Sequence, residues 1–395
     1  MTRNNDAFWA LDPKLTYLNH GSFGSCPKPV LDYQQALRER LERNPMQFLL
    51  RELEGLLDGA REALANFIRA DPENLVFVPN ATTGVNTVLR SLTWERGDEL
   101  LTTSHVYNAC GNALDVAAAR HGARVVEVKI PFPLHHEDEV VGAVSAAFTS
   151  RTRLALLDHV TSETGIILPI ARLVRLCQEH GVEVLVDGAH APGMVTLDLE
   201  ALGADYYTGN GHKWICAPKG AGFLHVKPEK QAFIRPLVIS HGANSPRTDR
   251  SRFQIEFGWT GTGDPTAYLS VPEALRVMEA RHSDGWPGLM NANHGRVVEG
   301  RRVLYEALDL ESPCPVAMLG SLASIPLPDA TTMEPIASPL ALDPLQDLLA
   351  HKYAIEAPVF PWPQPPARLL RVSSQDYNTL EDYHRLAGTI RDMVR

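Results

Sequence analysis

The segment TGNGHKWICAPKG, residues 208–220, sets one lysine, Lys213, among glycines, a histidine and a tryptophan. Lysines are seldom placed in such small-residue turns, because an ammonium loses its hydration there. An amine that is desolvated has its pKa lowered and its lone pair freed, which suits it to nucleophilic chemistry. Upstream, VEVLVDGAHAPG, residues 182–193, runs apolar residues straight into Asp187. That puts a carboxylate at the C-terminal end of an expected buried strand, the edge where open α/β sheets bind ligands. Read alone, Asp187 fits equally a turn aspartate that caps the next segment. A third stretch, VFVPNATTGVNTVLR at 76–90, reads as a strand, a small polar turn and a helix start. Thr82 or Thr83 then falls near the helix N-cap with backbone N–H groups pointing outward. Such a start holds an anion, although ordinary capping gives the same pattern.

An anion cradle, a carboxylate and an amine, in that order, match the needs of pyridoxal phosphate. A lysine forms a Schiff base with its aldehyde, and an aspartate keeps its ring nitrogen protonated. The protonated ring draws electrons away from the substrate α-carbon. It is the joint occurrence of the three stretches that carries this reading.

The elements that must position these groups are legible as alternating patterns. NLVFVPN, GDELLTT, ARVVEV, RTRLALLD, VEVLVDGAH and AGFLHV read as strands, several of them Val/Leu-rich without alternation, as strands covered on both faces are. Between them GVNTVLRSL, ACGNALDVAAARHG and IARLVRLCQEHG read as amphipathic helices, the last two ending at His-Gly stops. Strand–helix alternation predicts an α/β fold with a mostly parallel, doubly wound sheet. After about residue 265 the pattern changes. PTAYLSVPEALRVMEARH and GLMNANHGRVVEGRRVLYEALD read as two long helices, and APVFPWPQPPARLL, with five prolines, excludes a helix or a central strand. The expected organisation is an N-terminal segment, 1–20, crossing toward a small domain, then a large domain, 21–264, and a small α+β domain, 265–395.

Composition narrows the functional classes. A chain of 395 residues is long for one core. With 44% apolar and 21% charged residues and a net charge of −10, it has the profile of a globular protein without a basic stripe, so neither nucleic acid nor an anionic membrane is an expected partner. The opening MTRNNDAFWALDPKL lacks the apolar core of a signal peptide, and no apolar run reaches bilayer length; a cytoplasmic location is expected. Five scattered cysteines, Cys26, Cys110, Cys177, Cys216 and Cys314, form no CxxC pair and read as free thiols. PLHHEDE, residues 133–139, reads as a solvated loop, so no metal site is expected.

These residues resemble the class V aminotransferases among the fold-type I pyridoxal-phosphate enzymes, and within them the isopenicillin N epimerase group. YLNHGSFGSCPKPV, NPMQFLLREL, VDGAHAPG, GHKWICAPKGAGFLHV and LLRVSSQDYNT carry the resemblance, which covers nearly the whole chain. It implies a large domain with a seven-stranded sheet, a smaller C-terminal domain and a homodimer. It implies that Lys213 is the Schiff-base lysine, that Asp187 pairs with the ring nitrogen, and that His190 reaches the phenolic oxygen. Ala81, Thr82, Asn210 and His212 match phosphate-contacting positions, beside Thr83 of the same turn, and Thr262 matches a threonine that reaches the phosphate from the other subunit. Tyr107 falls where a ring-stacking aromatic stands. Ser162 occupies a position where many relatives have asparagine. Arg371 matches the arginine that grips the substrate α-carboxylate, as its two-pronged guanidinium suits it to do. Asn19, His20, Gly21 and Phe23 lie in the matching substrate loop, where a plain turn is the other reading. Trp259 fits a pocket wall or a dimer contact.

The resemblance implies reactions that begin alike, with Lys213 removing the α-proton of an amino acid as general base. Desulfurases of this group use a nucleophilic cysteine ahead of the carboxylate-binding arginine, and residues 353–371 contain none. Epimerisation, with Tyr107 as a second acid, and β-elimination at a C–S bond both remain, with transamination behind them.

Overall fold

The computed structural model describes residues 7–330 and 343–394; residues 1–6 of the expected N-terminal segment, 331–342 of the expected small domain and the terminal Arg395 lie outside the described residues. In chain order the strands are β1 Thr16–Tyr17, β2 Leu75–Val78, β3 Glu99–Thr103, β4 Arg124–Val128, β5 Thr152–Asp158, β6 Glu183–Gly188, β7 Tyr206–Asn210, β8 Gly222–Val226, β9 Leu322–Leu327, β10 Ile355–Glu356, β11 Val359–Pro361 and β12 Arg368–Ser373.

Each of the six strand-like runs holds one strand, β2 to β6 and β8, and ADYYTGNGHKW holds β7. They form a seven-stranded sheet in the order β2-β8-β7-β6-β5-β3-β4, in which β8 alone runs antiparallel to its neighbours. Alternate residues of one strand feed different cores. Leu154 and Leu156 of β5 pack with Val85, Val88 and Leu114 of the helices Ala81–Ser91 and Asn108–His121. Ala155 and Leu157 pack on the other face with Leu173 and Val174 of the helix Ile170–Glu179. Both faces are therefore covered, which is why these strands read as continuous apolar runs. The helices Asn108–His121 and Ile170–Glu179 stop at the two expected His-Gly pairs, where Gly122 and Gly181 each take a φ of 67° that a side chain would strain.

The C-terminal part carries an antiparallel sheet in the order β11-β12-β9. The proline tract supplies its edge strand β11, and the tract's last residues, Arg368–Leu370, enter the central strand β12, contrary to the expectation that the tract excludes one. The reason is local: the prolines end at Pro366, so β12 keeps every donor it needs. PTAYLSVPEALRVMEARH was expected as one helix and is two, Thr266–Leu269 and Val271–Glu279, because Pro272 has no N–H to continue the ladder. The next helix, Gly285–Leu308, joins the cores. Trp286, Leu289 and Met290 pack into that of the large sheet, and Val297, Val303 and Leu304 into that of the small one. β1 pairs in parallel with β10, so residues 16–17 join the chain's start to its C-terminal part.

The five cysteines are free and buried; PLHHEDE, expected as a loop, is one only up to His136, which N-caps the helix Glu137–Ala147 in a capping box with Glu139. Among the described residues no helix is long and apolar enough to cross a membrane.

Candidate active site

Asp187 is the last residue but one of β6, and the segment after β7 brings Lys213 to the same edge of the sheet. Lys213 Nζ lies 3.0 Å from His190 Nε2, and the indole N–H of Trp214 donates to His190 Nδ1 at 3.4 Å. Because Nδ1 accepts, the ring hydrogen of the neutral imidazole sits on Nε2 and points at the lysine amine. Burial, and then the Lys213 charge, hold His190 well below the usual histidine range, so the ring is neutral. Burial, and then the Arg371 guanidinium, bring the Lys213 ammonium down to about 8. Asp187 is 4% exposed; its Oδ1 accepts from the Ala189 N–H at 2.9 Å, and its Oδ2 from the Cys110 thiol at 3.1 Å.

The helix Ala81–Ser91 begins beside this edge. Its N-cap is Asn80, whose side chain accepts from the Thr83 N–H at 2.8 Å and the Thr83 hydroxyl at 3.1 Å. The Ala81 N–H donates to Asn210 Oδ1 at 2.8 Å. Of the first three amides in this helix, that of Thr82 is the one without a partner among the described residues. His212 fixes its backbone and Nδ1 on the Ala221 carbonyl, at 3.2 and 2.9 Å, and burial brings its pKa down to about 4. The Nδ1–H of the neutral ring donates to that carbonyl, which leaves the lone pair on Nε2.

Arg371, in β12, is 1% exposed. It donates to the Ser162 carbonyl at 2.5 Å, to Ser22 Oγ at 2.7 Å and to Asn19 Oδ1 at 3.5 Å, and stands over the Phe360 ring. Among the described residues it has no carboxylate in ion-pair contact. Ser162 thus serves Arg371 through its carbonyl and, at 3.4 Å, through its hydroxyl. Gly21 lies against the same guanidinium, and Phe23 is 73% exposed with its carbonyl taken by the Tyr17 hydroxyl. His20 is fully buried and turned elsewhere. Its Nε2–H donates to the Lys213 carbonyl at 3.1 Å, and its Nδ1 accepts from the Tyr377 hydroxyl at 2.9 Å. It steadies the lysine-bearing segment.

Tyr107 precedes the helix Asn108–His121, is 40% exposed, and has its pKa raised by burial. Thr262 sits in an exposed turn. Trp259 packs with Leu269 and Phe48 and lines a cavity of about 310 Å³ bounded also by Thr83, Tyr268 and Asp264. Sequence reasoning missed Ser22, Cys110, Trp214 and Asp158, which stands opposite Asp187 in the β5–β6 register. Asp158 alone had a signal, since RTRLALLD ends an apolar run on an aspartate just as VEVLVD does.

The profile of the Aminotransferase class-V family matches residues 17–282. An isopenicillin N epimerase of Amycolatopsis lactamdurans is 36% identical, over 98% of this chain and 97% of that protein. A probable L-cysteine desulfhydrase, chloroplastic, of Arabidopsis thaliana is 32% identical, over 97% and 84%. Among solved structures, the cystine C–S lyase C-DES in complex with its reaction product cysteine persulfide superposes with a TM-score of 0.81 at 24% identity, over 96% and 97% of the two chains. That likeness shows the fold. On the family match and the near full-length relatives, this chain belongs to the class-V aminotransferases, a pyridoxal-phosphate-dependent family.

Proposed function

We propose that the chain removes the α-proton of an amino acid bound through its carboxylate, and that the product is the epimer. The carrying observation is the pairing of Lys213, whose amine stands 3.0 Å from His190 and whose pKa is brought down to about 8, with the buried Arg371, which has no carboxylate in ion-pair contact among the described residues.

The residues fit pyridoxal phosphate. Thr82 offers an amide without a partner among the described residues at a helix N-terminus, where a phosphate is favoured, and Asn210 flanks it through the Ala81 N–H. Ala81 and Thr83 shape that turn through the partners of their own amides. Asp187 would hold the ring nitrogen, His190 Nε2–H the phenolic oxygen, and Tyr107 one face of the ring. When bound, the group supplies an aldehyde for an amine and a sink for the electron pair at the α-carbon.

The chain's own residues do the rest. Arg371 holds the substrate carboxylate with N–H donors that Ser22, Asn19 and the Ser162 carbonyl keep oriented. Holding that end fixes which α-bond faces Lys213. Nζ, neutral in part near pH 7, takes the proton. Tyr107, whose hydroxyl keeps its proton because burial raises its pKa, would return one from the other face. The 36% identical epimerase supports this outcome. β-Elimination at a C–S bond is the second reading. It needs Lys213 and no second acid, and the 32% identical desulfhydrase supports it.

We place the cofactor on the 21–264 unit, with residues 1–20 and 265–395 supplying the substrate side. A homodimer, with Thr262 reaching the other copy's phosphate, is supported by the exposed apolar residues Phe233, Val238, Ile239, Met46 and Leu50. A reducing, cytoplasmic setting is supported by five free buried thiols.

Incubation with a panel of amino acids in deuterated water, following α-deuteration, chirality and pyruvate together, tests the reading. Exchange with loss of chirality is expected. Pyruvate release would transfer the assignment to the second reading, and neither signal with any amino acid would overturn both.

A further inference from the structure

β5 and β6 are parallel neighbours, and their register sets Asp158 opposite Asp187. Neighbouring strands lie about 4.8 Å apart, and residues in register leave the sheet on the same face. Both aspartates are buried, at 3% and 4% exposure. Two carboxylates so placed cannot both stay ionised without a counter-charge between them.

Their hydrogen bonds are unequal. Asp187 has a donor on each oxygen, the Ala189 N–H and the Cys110 thiol. The main-chain N–H groups of Tyr107 and of Asp158 itself face the Asp158 carboxyl, while its Oδ2 is buried with no hydrogen-bond partner among the described residues. A bare buried carboxylate oxygen loses its solvation with nothing in return, and a proton on it removes that cost. The groups facing the pair are Cys110 and Tyr107 at the start of the helix Asn108–His121, Glu163 in the loop after β5, Tyr207 of β7, and Lys213. Of these only Lys213 brings positive charge.

We propose that Asp158 carries a proton on Oδ2 and Asp187 stays ionised, so that the pair bears a single negative charge on the residue facing the cofactor ring. This rests on the assignment of Asp187 to the ring nitrogen. Burial, and then the charges of Asp187 and Glu163, push the Asp158 carboxyl well above its ordinary range, in agreement with the hydrogen bonding. Asp158 is then a positioning residue. It presents a neutral carboxyl to Asp187 and lies beside the Tyr107 main chain.

Infrared spectroscopy of the holoenzyme at pH 7 tests this, because an ordinary aspartic acid is deprotonated above about 4. A protonated-carboxyl C=O band is expected at pH 7, lost in Asp158→Asn and retained in Glu163→Gln. Absence of the band from the wild type, or its retention in Asp158→Asn, overturns the proposal, and the wild-type measurement stands even if the variant fails to fold. Asparagine copies the neutral form and keeps the acceptor. Cofactor affinity in Asp158→Asn is therefore expected within about threefold of wild type, and the pH midpoint of the cofactor absorbance within about half a unit; a shift above one unit, equal to tenfold, counts against it. Asp187→Asn separates the two claims. If that variant leaves cofactor affinity and spectrum unchanged, the Asp187 assignment fails, while the infrared band still reports on Asp158.

Discussion

The amine of Lys213 and the imidazole of His190 meet at 3.0 Å, and the indole of Trp214 closes on the far nitrogen of the same ring at 3.4 Å. A histidine donates from one nitrogen only when neutral, so the Trp214 N–H decides which one. With the hydrogen on Nε2, the ring can donate to a lysine lone pair, which exists only in the neutral amine. The arrangement favours the reactive form of Lys213 by geometry, in the same direction as burial and the Arg371 charge.

That direction gives a pH dependence whose sign is fixed. The Lys213 amine titrates at 10.5 in an unfolded chain and at about 8 in the fold. Between these values the unfolded state binds more protons, so the cofactor-free protein gains stability as pH rises from about 8 to 10.5 and carries the full penalty below. Lys213→Met is expected to stabilise the cofactor-free protein at pH 7 by roughly 3 kcal/mol and to abolish that rise. Urea unfolding of both proteins at pH 7 and pH 10.5 checks it; equal stabilities at pH 7 would mean that the amine is not desolvated.

Arg371→Lys reads the carboxylate site. The guanidinium reaches Ser162, Ser22 and Asn19 at once and still offers donors to a ligand, whereas an ammonium has three donors and no planar fork. A loss of about 2–3 kcal/mol in carboxylate binding is expected, roughly a 30- to 150-fold rise in KM, with cofactor affinity unchanged. Steady-state kinetics beside a cofactor titration checks the split.

What the sequence made legible follows from where each signal resides. Lys213, Asp187 and the 76–90 turn carry their signal in local chemistry: an amine among small residues, an acid closing an apolar run, a polar helix start. The mostly parallel sheet follows from runs such as RTRLALLD, whose burial on two faces is a property of composition. Other parts depend on contacts remote in sequence. Ser22 matters because Arg371, 349 residues away, comes to it, and Cys110 because Asp187, 77 residues on, does. His20 stood in the expected substrate loop, yet its ring turns to Lys213 and Tyr377, an orientation set by packing that spacing does not encode.

That same loop offers a contrast between two glycines. A Cβ at Gly21 would stand 2.8 Å from Leu322 Cδ2 and 3.4 Å from Arg371 Nη2, so an alanine must displace the leucine or lean on the guanidinium. A Cβ at Gly24 would stand 2.7 Å from His20 Nε2, the atom that donates to the Lys213 carbonyl. The first substitution therefore strikes the substrate side and the second the lysine side. Overpacking of this size costs about 1–3 kcal/mol, or roughly 5- to 150-fold in whichever step depends on the displaced group. Gly21→Ala is expected to raise KM while leaving the cofactor's absorbance titration in place. Gly24→Ala is expected to shift that titration and leave substrate affinity nearer wild type. If both variants move KM and the titration together, the loop acts as one body, and the separate anchoring of Arg371 by residues 19–22 and of Lys213 by His20 does not hold.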